Sequence, residues 1–428
     1  MRNISRRFRS GSLGRNTLWM LGGNGLRLVI QSAYFVLIAR SLEPAEYGAF
    51  VAVVAVAAIV SPFVGVGTSN LIIRNVARDP GSFSRSWGNG LLVTLSTGIL
   101  GTALVLGCTF LLPAHVHRID LLYIALADLI CGGLLYFCGA AFSALSRFSI
   151  TAQINVWWSL SRIIALAILI SIKHHPSVDD WAATYLLATL VTSCVVLAIA
   201  LSLLRKPSLQ VSEIWPELRE GFFFSFGLSA QSIYNDIDKT MLARLGDLTS
   251  TGIYGAAYRI IDVSLVPLRS LLAAANPGFF RAGHQGGVKE TLRYMRRMLL
   301  HTIGYALAVV VGLLLFAPII PHILGSQYAR SVSALRWLAL LPLLKTVHSF
   351  FADALTGAGH QRMRTAIQIF VAIFNVLINL WIIPAYSWVG AAWSSLASDG
   401  LLMCLMATAA FAIVRRQESQ LPLMEEAA

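Results

Sequence analysis

Apolar runs long enough to cross a lipid bilayer follow one another along almost the whole chain, and the segments between them are too short to fold on their own. A spanning helix needs roughly 20 mostly apolar residues. Twelve stretches meet that need: 16–39, 44–67, 88–113, 119–143, 149–172, 181–204, 221–245, 250–278, 295–319, 329–356, 364–385 and 388–414. Only 12% of the 428 residues are charged, against 57% hydrophobic, and the mean hydropathy is +0.70. Soluble domains carry about 25% charged residues, so lipid must be the solvent for most of this chain. The expected fold is an all-α polytopic membrane protein of twelve transmembrane helices.

The placement of charge tests that count. The net charge is +13, and in membrane proteins Lys and Arg collect on the cytoplasmic side. With the N-terminus in the cytoplasm, that side receives the basic residues around 74–85, 147, 205–219, 281–297, 362–364 and 415–416, besides Arg2, Arg6, Arg7, Arg9 and Arg15. The opposite side holds only Arg40, Arg118, Lys173, Arg244, Arg330 and Arg336. An odd number of crossings would scramble this alternation, so both termini are placed inside. Basic residues in short segments between apolar runs face anionic membrane lipids. No basic loop interleaved with aromatics is present to stack bases, and no nucleic-acid partner is expected. The first apolar run is longer than the ~7–15-residue core of a cleaved signal peptide and is read as a retained helix. The cysteines Cys108, Cys131, Cys138, Cys194 and Cys404 all lie in apolar runs without metal-ligand spacing. No disulfide framework, metal or cofactor is expected from them.

The second half echoes the first. Ala39-Arg40, then Tyr47-Gly48-Ala49, then Pro62 recur as Ala243-Arg244, Tyr254-Gly255-Ala256 and Pro267. Ala144-Leu145 with Arg147 is matched by Ala354-Leu355 with Arg362. The organisation expected is therefore a basic cytoplasmic N-terminus (1–15), an N-terminal six-helix bundle (16–204), a cytoplasmic linker (205–220), a C-terminal six-helix bundle (221–414) and a cytoplasmic tail (415–428). Six is even, so both bundles enter the membrane in the same direction. Parallel repeats of this kind are a transporter architecture, with substrate at the repeat interface and one half rocking against the other.

Charge within the spans points the same way. An ionised side chain at mid-bilayer costs roughly 2.5–3.5 kcal/mol on insertion scales, so these residues should face protein or a wet cavity. At 100° per residue, Asn16, Asn24, Arg27, Gln31 and Tyr34 share one face of helix one within about 80°. Helix seven groups Gln231, Asn235, Asp238 and Lys239, with Asp236 turned away. Arg259, Asp262 and Arg269 share a face of helix eight. Lys345, His348 and Ser349 align on helix ten, and Gln368, Asn375 and Asn379 on helix eleven. Arg27 and Arg162 lie near mid-helix with no acid on their own face within a turn. Each site also has a plainer reading: a local Arg259–Asp262 pair, Lys239 reaching the membrane interface, or asparagines bonding a neighbouring helix. The residues expected to line a cavity are Asn24, Arg27, Gln31, Tyr34, Arg162, Asn235, Asp238, Lys239, Arg259, Asp262, Arg269 and Lys345. Guanidinium groups in a wet chamber attract phosphate and carboxylate, and helix one holds no Asp or Glu, so an anionic cargo is favoured over a cationic one.

Four stretches carry a family likeness: Ala39 to Gly48; Asp238 to Gly246 followed by Gly252 to Arg259; Ala354 to Gly357 with Gly359 and Arg362; and Asn375 to Pro384 leading to Val389-Gly390-Ala391-Ala392. In order and spacing they resemble the multidrug/oligosaccharidyl-lipid/polysaccharide exporter superfamily, and within it the polysaccharide branch that includes the Wzx-type O-antigen flippases. Ser387-Trp388 departs from the Gly-Ile or Gly-Val usual after Tyr386, which touches a turn. The resemblance implies two six-helix bundles forming a V in the bacterial inner membrane. It also implies a polyprenyl-diphosphate-linked oligosaccharide as cargo, flipped toward the periplasm for O-antigen, exopolysaccharide or capsule synthesis. A polysaccharide polymerase and a chain-length regulator would be its pathway partners. Arg27 and Arg259 would then meet the diphosphate, with Arg162, Arg269 and Lys345 behind them.

Three other functions compete. A drug/cation antiporter of the same superfamily predicts carboxylates in one bundle, of which Asp128 is a single instance. A lipid II flippase also handles a lipid diphosphate but commonly has more than twelve helices. A polysaccharide polymerase or glycosyltransferase would need a catalytic motif, and Asp236-Ile-Asp238 is formally a D-x-D. On a helix those two side chains point about 160° apart and cannot share a metal, so no enzyme is expected.

Overall fold

The computed structural model describes residues 10–113 and 116–425. The side chains of Asn16, Asn24 and Gln231 lie outside the described residues, as do residues 1–9 of the basic N-terminus. Among the described residues every regular element is helical. Eight stretches are long and apolar enough to cross a membrane. Two of them are interrupted. Val266–Phe316 breaks at Gly286 and Gly287, and Gln361–Glu425 breaks at Ser387. Dividing these two at their breaks, joining Leu248–Ser264 to the part that begins at Val266, and adding the more polar helices Ser10–Ser41 and Val211–Leu245 is consistent with twelve crossings among the described residues. The chain is an all-α, multi-pass membrane protein. Its outward faces remain apolar, with Leu100, Phe110 and Trp381 all well exposed, as a lipid solvent requires.

Contacts divide the chain into two compact units, Met1–Ser232 and Ile233–Ala428, the boundary falling inside helix seven. The connection expected over 205–220 is extended only over 205–210, and Val211 already begins helix seven. Its extended part is held to helix three. Ser208 N donates to Ser84 O at 2.9 Å, and Asn89 exchanges two hydrogen bonds with the Gln210 backbone at 2.9 and 3.1 Å. The basic segment around 279–294 comprises the ends of helices eight and nine, meeting at Gly286-Gly287.

The two prolines of the repeat mark corresponding interruptions. Helix two runs as Pro44–Val60, turns through Ser61–Phe63 around Pro62, and resumes as Thr68–Arg78. Helix eight stops at Ser264, and Val266-Pro267 restarts it. A proline lacks the amide that would continue the ladder and clashes with the preceding turn. In unit one the interruption is wide: Gly65, Val66 and Gly67 all take positive φ (75°, 43° and 74°). The early part of helix seven packs there so closely that a Cβ on Gly221 would stand 1.8 Å from the Val66 carbonyl oxygen. Only glycine permits that approach.

Candidate functional site

In unit one, helix four carries a π-helical insertion at Leu126–Cys131, a distortion frequent at functional positions. It presents Asp128 to helices five and six. Arg162 Nη2 lies 3.4 Å from Asp128 Oδ1, and Tyr185 donates its hydroxyl to the same oxygen at 2.5 Å. The guanidinium sits between two rings, 4.8 Å from the Trp158 centroid and 4.6 Å from that of Tyr185. A planar, weakly hydrated cation suits such a slot better than an ammonium would. Arg162, which on its own helix has no acid within reach, is therefore paired across helices, and the expectation of an isolated guanidinium is corrected.

Donors outnumber acceptors around that pair. Arg162 Nε, Trp158 Nε1 and Trp181 Nε1 are buried and have no hydrogen-bond acceptor among the described residues. Trp181 packs against Tyr34 of helix one, ring centroids 5.8 Å apart. Arg27 and Gln31 on the same helix are half-buried. A buried donor left unsatisfied costs on the order of 1–3 kcal/mol, so this cluster of N–H groups holds hydrogen-bonding capacity that no described residue uses.

Unit two holds a denser network. Lys239 Nζ reaches Asp236 Oδ1 at 2.5 Å and Asn235 O at 3.2 Å, and lies 4.4 Å from the Tyr258 ring centroid. Lys345 Nζ lies 3.4 Å from Asp399 Oδ2 and 3.5 Å from Asn235 Oδ1. Asp399 also receives His348 Nε2 at 3.1 Å and the Tyr234 hydroxyl. Asp238 accepts from Lys239 N at 2.8 Å, from Ser395 Oγ at 3.2 Å and from the Tyr254 hydroxyl. Arg269 pairs with Asp262 at 2.9 Å. Arg259, half-buried, forms no ion pair among the described residues.

Several expectations change here. Lys239 faces Asp236, three residues before it, and not Asp238, because residues three apart are neighbours on a helix and adjacent ones are not. Lys239 is buried and does not reach for an interface. Asp262 takes Arg269 as partner in place of Arg259. Asp236 and Asp238 serve different partners, which leaves no D-x-D metal pair. Asn375 and Asn379 hydrogen-bond each other and reach Ser398 and Ser394 of helix twelve, a structural lock between helices. Tyr185, Tyr234, Tyr254, Ser395 and Trp158 belong to these networks although sequence reasoning passed over them. Asp128 and His348 stood out only as polar residues inside spans.

The fold is thus an all-α membrane fold with buried polar networks in each unit. A polysaccharide biosynthesis protein family model matches residues 13–282. The chain belongs to that family and, through it, to the MOP transporter superfamily; a MatE model also matches residues 224–381. No curated protein matches the chain. Among solved structures, an inward-facing multidrug resistance MATE family transporter of the MOP superfamily is similar at 18% identity and TM-score 0.73, over 91% of this chain and 96% of that one. The lipid II flippase MurJ, inward closed, is similar at 13% identity and TM-score 0.70, over 92% and 87%. A MOP superfamily transporter from Pyrococcus furiosus, described as having a binding pocket of reverse polarity, is similar at 18% identity and TM-score 0.63, over 94% and 96%. At these identities the likeness is one of fold.

Proposed function

We propose that the protein is a flippase that carries a polyprenyl-diphosphate-linked oligosaccharide from the cytoplasmic to the periplasmic leaflet of the bacterial inner membrane, with both termini in the cytoplasm. The saccharide is a repeat unit of a surface polysaccharide. The observation that carries this reading is the surplus of buried N–H donors around Arg162 in a member of the polysaccharide biosynthesis family. Diphosphate and sugar oxygens are acceptors, and a site with donors to spare suits them. The similarity of fold to a lipid II flippase supports a lipid-linked cargo. Arg27, Arg162 and Arg259 are assigned to the diphosphate. Gln31, Tyr34, Asn24 and Asn235 are assigned to the sugar, while Lys239, Asp238, Asp262, Arg269 and Lys345 line the path as paired charges. The two bundles exchange access by rocking, with the hydrocarbon tail left in lipid.

The test is made in cells whose surface polymer depends on this protein. Arg27→Ala and Arg259→Ala, produced at wild-type level, are expected to cut surface polymer at least about tenfold, the loss of one charge-assisted contact of roughly 1.4 kcal/mol or more. The lipid-linked repeat unit should accumulate in the cytoplasmic leaflet. Unchanged polymer in both variants would remove these arginines from the mechanism.

A second reading has its own support. The MatE model matches residues 224–381, and Asp236, Asp238 and Asp399 place three carboxylates in unit two, as a drug/cation antiporter would use. Antiport predicts that the protein confers resistance to cationic dyes and leaves polymer output unchanged when deleted.

A further inference from the structure

At the end of unit one where helices four and six begin, four acids come together with one histidine, and three of the acids are accounted for differently. Asp180 completes the cap of helix six with Ser177 and pairs with Lys173 at 2.5 Å. Glu46, from the start of helix two, accepts from Val178 N at 2.6 Å. Asp179 lies 3.1 and 3.2 Å from His117 Nδ1 through its two oxygens. Asp120 is the exception. It is fully buried, its carboxylate oxygens accept no hydrogen bond among the described residues, and it meets another acid, Asp179, which it can bond only by sharing a proton. Asp120 stands in the first turn of helix four, whose N-cap His117 makes no side-chain cap bond. The nearest cationic atom is His117 Nδ1, 3.9 Å from Asp120 Oδ2, too long for a hydrogen bond.

A carboxylate taken out of water without a partner costs several kcal/mol, and a second carboxylate beside it raises that cost. A positive ion at the centre of the cluster removes both penalties. The geometry suits one: single ligand atoms from His117, Asp120 and Asp179 all lie within 4.8 Å of one another. Bonds of about 2.1 Å to nitrogen and oxygen set neighbouring ligand atoms about 3–4 Å apart, within reach of small side-chain adjustments.

We propose that His117 Nδ1 and the carboxylates of Asp120 and Asp179 form a binding site for one divalent transition-metal ion, Zn²⁺ or Mn²⁺, that clips the entry of helix four to the entry of helix six. One imidazole and two carboxylates are the mixed nitrogen–oxygen set these ions accept, with water completing the shell. The site lies at the end of the unit opposite the start of helix one, so by alternation it is extracytoplasmic under the orientation proposed above. It stands apart from the Asp128–Arg162 pair and is independent of the cargo.

The test uses the full chain, purified in detergent with an affinity tag free of histidine and stripped with a chelator. Zn²⁺ alone is titrated by equilibrium dialysis, and Mn²⁺ alone by loss of its free-ion electron paramagnetic resonance signal. The wild type is expected to bind one equivalent and to gain apparent Tm on binding. His117→Ala and Asp179→Asn change half-exposed side chains, 65% and 47% exposed, and should match the wild-type Tm in chelator. Each should weaken binding at least about tenfold. Asp120→Asn should abolish binding. Wild type that takes up no more metal than the His117→Ala/Asp179→Asn double variant would overturn the site, the two aspartates then sharing a proton. Variants that keep wild-type affinity would overturn it as well, by placing the ion elsewhere.

Discussion

The two units hold charge inside the membrane in opposite ways. In unit one Arg162 pairs with Asp128 between two aromatic rings, bordered by N–H groups that have no acceptor among the described residues. Unit two spreads three carboxylates, two lysines, a histidine and three tyrosines over helices seven, eight, ten and twelve, and nearly every polar atom has a partner. Lysine is a compact, strongly hydrated charge that needs several partners once dehydrated, whereas the guanidinium plane is content between rings. A saturated network rigidifies its surroundings. An unsaturated one leaves hydrogen-bonding capacity for something else. Under the function proposed above, spare hydrogen-bonding capacity for the guest's polar head lies chiefly in unit one and structural support chiefly in unit two.

The sharpest way to break this contrast is to delete one carboxylate from each unit. Asp399→Ala strands Lys345, His348 and Tyr234 together, and a loss of about 3–5 kcal/mol is expected, the range for breaking a buried pair. It should give the largest fall in apparent Tm in detergent. Asp128→Ala leaves Arg162 with its two rings and a side chain still 20% exposed, so a loss of about 1–2 kcal/mol is expected. Equal losses would mean that unit one is as tightly locked as unit two.

Exchanging the cations sharpens it further. Arg162→Lys gives up the stacked plane and should cost about 1 kcal/mol in stability while lowering polymer output. Lys345→Arg enlarges a group that is 8% exposed in a filled network and should cost about 1–3 kcal/mol through overpacking. Thermal unfolding and polymer yield, measured together, separate the two: the first variant should lose activity out of proportion to stability, the second should not.

The smallest effect lies outside both networks. Ser387 breaks helices eleven and twelve at φ 51° and ψ −133°, a backbone state that glycine enters freely and serine does not. Its hydroxyl donates to Ser250 Oγ at 2.9 Å, which offsets part of that strain. Ser387→Ala keeps the strain and loses the bond, so about 1 kcal/mol of destabilisation is expected. Ser387→Gly relieves the strain while losing the bond and should fall within about 0.5 kcal/mol of wild type. Unfolding midpoints of the two variants compare these contributions directly.

Much of the fold is written in the spacing of apolar runs, because each crossing must satisfy its own backbone hydrogen bonds within one helix. The repeat, too, is legible through Pro62 and Pro267, whose missing amides interrupt corresponding helices. The turn at Ser387 announces itself where a glycine is usual. Pairings across helices are another matter. Asp128 and Arg162 are 34 residues apart, and His117 lies 62 residues from Asp179. Periodicity on one helix says nothing of which helix stands opposite. Hence Arg162 reads as isolated in sequence, and of the histidine–aspartate cluster only His117 and Asp120 are near one another in the chain. Lys239 is the reverse case: its partner Asp236 lies three residues before it on the same helix, a local pairing that grouping Lys239 with Asp238 missed.

The most direct measurement reconstitutes the purified protein in liposomes with a fluorescent polyprenyl-diphosphate oligosaccharide and follows its appearance in the opposite leaflet. Transfer well above the rate in protein-free liposomes, reduced at least about tenfold in Arg27→Ala, is the predicted result. Transfer no faster than without protein, or a variant as fast as wild type, would contradict a guanidinium-assisted passage of a lipid diphosphate.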